Sequence, residues 1–364
     1  MRQALTHQDI EPAVKGGAVF ACGGGGFADH GRMLGTAAVN AGVPELVSVD
    51  ELSPEDIVAT AAAIGAPGGR TPWEMRGVDY VRAVDLVEEA LGKPVAALMI
   101  GQNGKSSTLN AWLPSAMKGL KVLDAVGDIR AHPTGDMGSI GLAGSPQPMI
   151  QAAAGGNRQN GAYMELVVRG ATGKVSPVLR TAGDMAGGFI ASCRNPIPAS
   201  YVAEHAALGG VSSALSLGRA ILDAEPKGGP AVIDAILSQT RGTIIAQGKV
   251  TDVAIAYTNE AFDVGTITVD GGSGPVTIHC MNEYMAVDGA DGSRLGTWPD
   301  VITTLSPAGI PLSNNEIDKG DEIAVLHIHK RHLPLSSVVN DPAVYPPVEK
   351  ALGIALASFA MAPA

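Results

Sequence analysis

Aromatic side chains are scarce, at 4% of the chain, and so are charged ones, at 17%. A shortage of rings argues against a surface on which nucleic-acid bases stack. Basic residues are outnumbered, with Lys and Arg totalling 25 against 36 Asp and Glu, a formal net charge of -11. A protein that follows a phosphate backbone needs the opposite balance, and the longest basic cluster is only His329-Lys330-Arg331-His332. Cysteine occurs three times, as Cys22, Cys193 and Cys280, too few and too scattered for a disulfide framework. No apolar run reaches the roughly 20 residues that cross a bilayer. The Ala-rich stretch Ala351–Ala364 reads as a packed terminal helix, and Met1–Asp9 has no apolar segment of a secretory signal, so the expected location is the cytoplasm. Hydrophobic residues, at 46%, and 47 glycines are what the chain has instead. That composition describes a globular protein with many tight turns, and 364 residues suffice for two domains with separate cores.

The first half alternates strand-like and helix-like segments. Thr6-His7-Gln8-Asp9 predicts a capped helix running towards Lys15. A helix over Asp29–Asn40 follows, then strands at Glu45–Val49 and Ile57–Ile64, a helix over Val78–Leu91, a strand at Val95–Ile100, a helix over Ser106–Lys118 and a strand at Val122–Val126. This order predicts a three-layer α/β domain with a mostly parallel sheet over residues 1–162. The second domain, 163–364, reads as mainly β and barrel-like. Its expected strands are Tyr163–Arg169, Val175–Arg180, Thr243–Tyr257, Thr266–Val269, Val276–Glu283 and Ile323–Ile328, with a helical insert at Ser200–Asp223 and Ala231–Gln239. No internal repeat or low-complexity linker separates the two.

Several constellations carry chemistry. In Cys22-Gly23-Gly24-Gly25-Gly26, between an apolar segment and a helix, consecutive glycines let backbone N–H groups converge on an anion or a developing oxyanion. The same residues partly fit a dinucleotide fingerprint, Gly23-x-Gly25-x-x-Ala28 with Asp50 closing the next strand, or a purely structural turn. Cys22, entering this run, is either a thiol of lowered pKa or a small buried apolar residue; Cys193, in an apolar strand, reads as core. Asn103, Asp124, Asp128, Arg130 and His132 all follow strands, and ligands of open α/β sheets bind outside the carboxyl ends of strands. Together they suffice for acid–base work on a polar ring, though Gly- and Asp-rich loops are also ordinary turns. Period-two alternation sets His279, Met281 and Glu283 on one strand face and Cys280 with Asn282 on the other, at a site between the domains or in the core. His327 and His329 share a strand side with His332 nearby; such a pair can ligate zinc, and an edge strand accommodates it equally, so no metal is assigned.

In order along the chain, Gly23–Gly26, Gly65-Ala66-Pro67, Gly101 with Asn103-Gly104, Asp124 with Arg130 and Pro133, Gly248-Lys249-Val250-Thr251-Asp252-Val253, Asn282-Glu283 and Pro299-Asp300-Val301-Ile302 make a pattern. Over nearly its whole length the chain resembles the S-methyl thiohydantoin desulfurase family, a two-domain family associated with hydantoin metabolism. It departs from the wider family pattern at Cys22, where Thr or Ser is usual, and at His132, where an aromatic is usual. Acidic residues usual near Met99, Val126 and Thr134 are also missing. The resemblance implies a homotetramer that acts on a small molecule, binds neither nucleic acid nor membrane, and hydrolyses an S-methyl thiohydantoin, bearing an acidic side chain, to the hydantoin and methanethiol. On that reading no cofactor is needed. Asp124 or His132 handles protons, and Cys22 or Cys280 attacks or stabilises the reacting carbon. Gly23, Gly24, Gly25 and Gly26 fix an oxygen of the substrate, and Asn103, Arg130, Asn282 and Glu283 orient the ring and side chain. A nicotinamide-dependent oxidoreductase and a non-catalytic accessory subunit of a hydantoinase are the competing readings.

Overall fold

The computed structural model describes residues 1–66, 74–272 and 274–362. Pro67 of the Gly65-Ala66-Pro67 landmark and the last two residues of the expected terminal helix lie outside the described residues. The chain opens with β1 (Arg2–Ala4), α1 (His7–Phe20), α2 (Ala28–Ala41), β2 (Glu45–Val47), β3 (Ile57–Gly65) and α3 (Gly77–Leu91). It continues through β4 (Ala97–Gln102), α4 (Trp112–Lys118), β5 (Lys121–Asp128), β6 (Met149–Gly155), β7 (Met164–Gly170), α5 (Thr172–Met185), β8 (Phe189–Pro198), α6 (Ala199–His205) and β9 (Ala207–Leu208). Thr6 starts α1 as expected: its hydroxyl accepts from the Gln8 N–H while the Asp9 carboxylate accepts from the Thr6 N–H.

These strands form one sheet in the order β1-β2-β5-β4-β3-β8-β6-β7, with β9 beside β5. At its centre β2, β5, β4 and β3 run parallel, and antiparallel strands flank them on both sides. Alternation along each strand fills two cores. Leu98 and Ile100 pack among the buried residues of α1–α4, while Ala97 and Met99 face Ala199 and Val202 of α6. Further along, Ile64 and Ala153 meet Leu179 and Ala182 of α5. Helices on both faces complete three layers. The sheet takes β7, β8 and β9 from beyond residue 162.

Next come α7 (Gly210–Ala224) and α8 (Gly229–Thr240), then β10 (Thr243–Tyr257), β11 (Asp263–Asp270), β12 (Pro275–Met281), β13 (Glu283–Asp288), β14 (Arg294–Thr297), β15 (Val301–Leu305), β16 (Pro311–Leu312) and β17 (Glu322–Ile328). The chain finishes in α9 (Tyr345–Leu352) and α10 (Ala357–Ala360). The second sheet, β14-β13-β12-β11-β10-β17-β15-β16, is antiparallel throughout and curls into a half-barrel. Its curl comes from β10, which pairs with β17 over Thr243–Lys249 and with β11 over Lys249–Tyr257, with a bulge in each register. The insert α7 joins the halves: Val211 and Leu215 belong to the first core, whereas Leu217 and Ile221 pack with Val301 and Leu326 of the second.

Four expected elements differ. Val175–Arg180 is not a strand but part of α5, because Val175, Leu179 and Ala182 are buried at helical spacing. The expected helix Ser106–Lys118 is a 3-10 turn over Ser107–Leu109 followed by α4. Ser200–Asp223 is broken by β9, after which Gly209 turns the chain at φ 77. The C-terminal stretch is two short helices parted by Gly353 at φ 68, not one helix. Among the described residues, no helix is long and apolar enough to cross a membrane.

Candidate active site

A cavity of about 800 Å³ opens where the parallel strands end, lined by Gly65 after β3, Gly101 and Gln102 of β4, and His132–Asp136 after β5. The carboxyl edge of a parallel sheet is the general ligand position of open α/β folds. The second half closes it with Met281, Asn282 and Glu283 where β12 passes into β13, with Thr258, Asn259, Glu260 and Phe262 between β10 and β11, and with Pro347 and Lys350 of α9.

Three glycines of the run, Gly24, Gly25 and Gly26, border the cavity, and Gly23 packs under the Tyr284 ring. The run follows the helix α1, not a strand. The strand–glycine–helix context of a dinucleotide site is therefore missing, which overturns the nicotinamide reading of Gly23, Gly25 and Asp50. Glycine is required for space: a Cβ on Gly25 would meet Gly104 Cα at 2.7 Å, and one on Gly24 would meet Glu283 Oε1 at 2.2 Å. The group that faces the run is thus the protein's own Glu283 carboxyl.

Glu283 reaches this place because the strand breaks. Asn282 adopts φ 56, its amide N–H donates to Asp263 O, its side-chain Oδ1 accepts from the Asp263 N–H at 2.9 Å, and its carbonyl accepts from Asn314 Nδ2 at 2.9 Å. Alternation stops there, so Glu283 begins β13 and turns into the cavity while Cys280 stays in the apolar core of the second sheet. Burial pushes the Glu283 carboxyl up to about 8, against the pull of Arg130, Arg180 and the Gly25 amide. Its Oε2 has no hydrogen-bond partner. Glu283 is a carboxylic acid at neutral pH at the cavity wall, with a buried, unpaired oxygen.

His132 also lines the cavity. Its Nε2 lies 3.3 Å from Gly101 O, which can only accept, so a proton on Nε2 satisfies that contact; the Thr134 backbone also faces the ring, and Nδ1 is buried without a hydrogen bond. Burial lowers its pKa to about 3, keeping the imidazole neutral. Two cations missing from the sequence reading line the same space. Arg180 of α5 donates through Nη1 to Gly65 O at 2.6 Å and through Nη2 to Pro133 O at 2.5 Å, and it stacks 4.4 Å over the Phe262 ring. Arg194 of β8 is 5% exposed, and its Nε has no partner. Beside it, Asp136 has a partnerless Oδ1 and a carboxyl raised by burial. A charge within the apolar strand Ile190-Ala191-Ser192-Cys193-Arg194 was a signal for Arg194. Arg180 had none, standing at the end of the expected strand Val175–Arg180.

The remaining expected residues hold the fold. Cys22 is completely buried at φ 47, burial pushes its thiol up to about 11, and it does not border the cavity. The Cys280 thiol is likewise buried and raised. Neither is placed to attack, because a thiol without water or a cationic partner at contact keeps its proton. Asp124 Oδ1 accepts from the N–H groups of Val211 and Ser212 at 3.0 and 2.9 Å, capping α7. Asn103 Nδ2 donates to Ile129 O and Gly210 O at 3.1 and 3.0 Å. Arg130 is fully buried beneath Glu283, bound to backbone carbonyls. Asp128, pushed up to about 6 by burial, accepts from Trp298 Nε1 at 2.7 Å. His327 pairs with Asp300 at 2.8 Å, and among the described residues no three His, Cys, Asp or Glu side chains gather as metal ligands.

A search of curated proteins found no match. The crystal structure of a protein from Chromobacterium violaceum, a Northeast Structural Genomics Consortium target, has the same fold, with a TM-score of 0.71 and 23% identity over 96% of each chain. Residues 8–161 match the S-Me-THD-like N-terminal domain and residues 171–333 the S-Me-THD-like C-terminal domain, most of the sequence between them, and the chain therefore belongs to the S-Me-THD-like family.

Proposed function

We propose that the chain is a hydrolase that converts an S-methyl thiohydantoin with an acidic side chain to the hydantoin, releasing methanethiol. The observation that carries this reading is Glu283, protonated at neutral pH and partnerless at Oε2 over the glycine run. The target carbon, bonded to sulfur and flanked by two nitrogens, becomes electrophilic once a ring nitrogen is protonated. Glu283 donates that proton. A water molecule adds to the carbon as His132 Nδ1 takes its proton, giving a tetrahedral intermediate. The C–S bond then breaks, His132 returns its proton to the methanethiolate, and the new hydroxyl gives its proton to the Glu283 carboxylate as C=O forms. One water is consumed, and both side chains end as they began. Each acid–base step contributes roughly 10²–10⁴-fold. Arg194, a buried guanidinium at the cavity wall with an unpaired Nε and with Asp136 as its neighbouring charge, binds the acidic side chain.

Incubating the purified protein with such a substrate should release free thiol and hydantoin in equal amounts. Glu283→Gln should lower kcat by at least about 10²-fold. Absence of thiol release by the wild-type protein, or a Gln variant of near-normal rate, overturns the proposal.

A further inference from the structure

Arg130 does not border the cavity, yet its hydrogen bonds tie the turn after β5 to the residue that follows Glu283. Arg130 is 0% exposed, and its guanidinium bonds three carbonyls and touches Met285 Sδ, with Asp128 the carboxyl that feels its charge. Nε donates to Ala131 O at 2.9 Å, Nη1 to Asp300 O at 2.9 Å and Nη2 to Tyr284 O at 2.8 Å. The Tyr284 N–H donates in turn to Cys22 O at 2.7 Å, and the Ala131 N–H to Phe20 O at 2.9 Å. These bonds close a ring through three segments: the end of α1 leading into the glycine run, the turn after β5, and the start of β13. Glu283 precedes Tyr284 in that ring, with its carboxyl against Gly24.

Burying a cation costs several kcal/mol of desolvation unless something charged offsets it, and neutral donors could bind three carbonyls without that loss. What a guanidinium adds is a planar fork and a positive charge under the acid. The charged groups facing Glu283 are Arg130 from the turn after β5, Arg180 from α5 and Asp263 from β11. Of the two cations, Arg180 lines the cavity and Arg130 does not.

We infer that Arg130 is a positioning residue: its fork fixes the start of β13 to the glycine run, and its charge sits behind the Glu283 carboxyl, without contact to substrate. The inference rests on Glu283 being the acid of the proposed reaction. Two variants separate fork from charge: Arg130→Lys keeps the charge, and Arg130→Met keeps much of the volume without it. Carboxyl titration of Glu283, followed by ¹³C NMR in glutamate-labelled protein and assigned by the signal lost in Glu283→Gln, needs no turnover. In Arg130→Met the midpoint should rise by about one pH unit. In Arg130→Lys it should return close to the wild-type value. Displacement of the acid should lower kcat roughly 10²-fold in Arg130→Met, with KM held within about twofold because no substrate contact is lost. A folded Arg130→Met protein with an unmoved midpoint overturns the inference, and so does failure of both variants to fold, which would make the residue structural only. If the wild-type protein releases no thiol, the proposed function fails while the titration still decides the role of Arg130.

Discussion

Glu283 shows how one side chain acquires a role from its surroundings. Burial raises its carboxyl to about 8, so between the unfolded value near 4.5 and that pH the folded chain holds a proton that the unfolded chain has lost. Its contribution to stability is complete below the unfolded value and is lost as pH rises through the folded one. Wild-type protein compared with Glu283→Gln by chemical denaturation should therefore lose relative stability between about pH 5 and pH 8; parallel curves would place Glu283 in an ordinary solvated setting. Gly24 is the matching constraint. A methyl there would stand 2.2 Å from Glu283 Oε1 and 2.7 Å from its Cδ, so Gly24→Ala must displace the carboxyl. Thiol release should slow by roughly 10–10²-fold with the chain still folded. The sequence marks this spot through the glycines and through Asn282-Glu283, but among Cys22, Asp124, His132 and Cys280, to which it assigns the chemistry, only His132 lines the cavity. Nothing local to Cys22 reveals that Tyr284 donates to its carbonyl and that apolar side chains surround its thiol.

Elements explain why other expected residues are structural. The sequence groups Asp124 with the site because it ends an apolar run, but Asp124 lies within β5 and does not line the cavity to which that strand leads. Its carboxylate is taken by the first N–H groups of α7, a helix beginning more than eighty residues later, and such a partner cannot be seen in a linear reading. Asp124→Ala should cost about 1–3 kcal/mol in urea unfolding and leave kcat within about twofold, a separation that a catalytic Asp124 would not allow. The strands of the parallel centre were legible because Ile57–Ile64 and Val95–Ile100 are apolar runs bounded by turn residues. Helix α5 is not legible for the converse reason: Val175 and Leu179 look β-like over six residues, and only the longer window to Met185 shows the helical period. Arg180 was hidden by that same error, since its partner carbonyl on Gly65 lies 115 positions away.

At the scale of the molecule, the halves are interlocked rather than strung together. β8 lies between β3 and β6, so a fragment ending at residue 162 leaves β3 with an open edge along Ile57–Gly65 and removes the strand beside it. That fragment should be insoluble or lack a cooperative thermal transition, because an uncovered, apolar edge strand invites aggregation; a soluble, cooperatively unfolding fragment would show that the first sheet closes without β8. The three thiols lie in three different apolar clusters, Cys193 in the first core, Cys22 at the junction with α7, and Cys280 inside the half-barrel. Each is buried, so an alkylating reagent added to native protein can reach it only during a transient opening of its own cluster. Mass-resolved labelling rates would then time the breathing of three regions in a single tube, with no probe introduced by mutation.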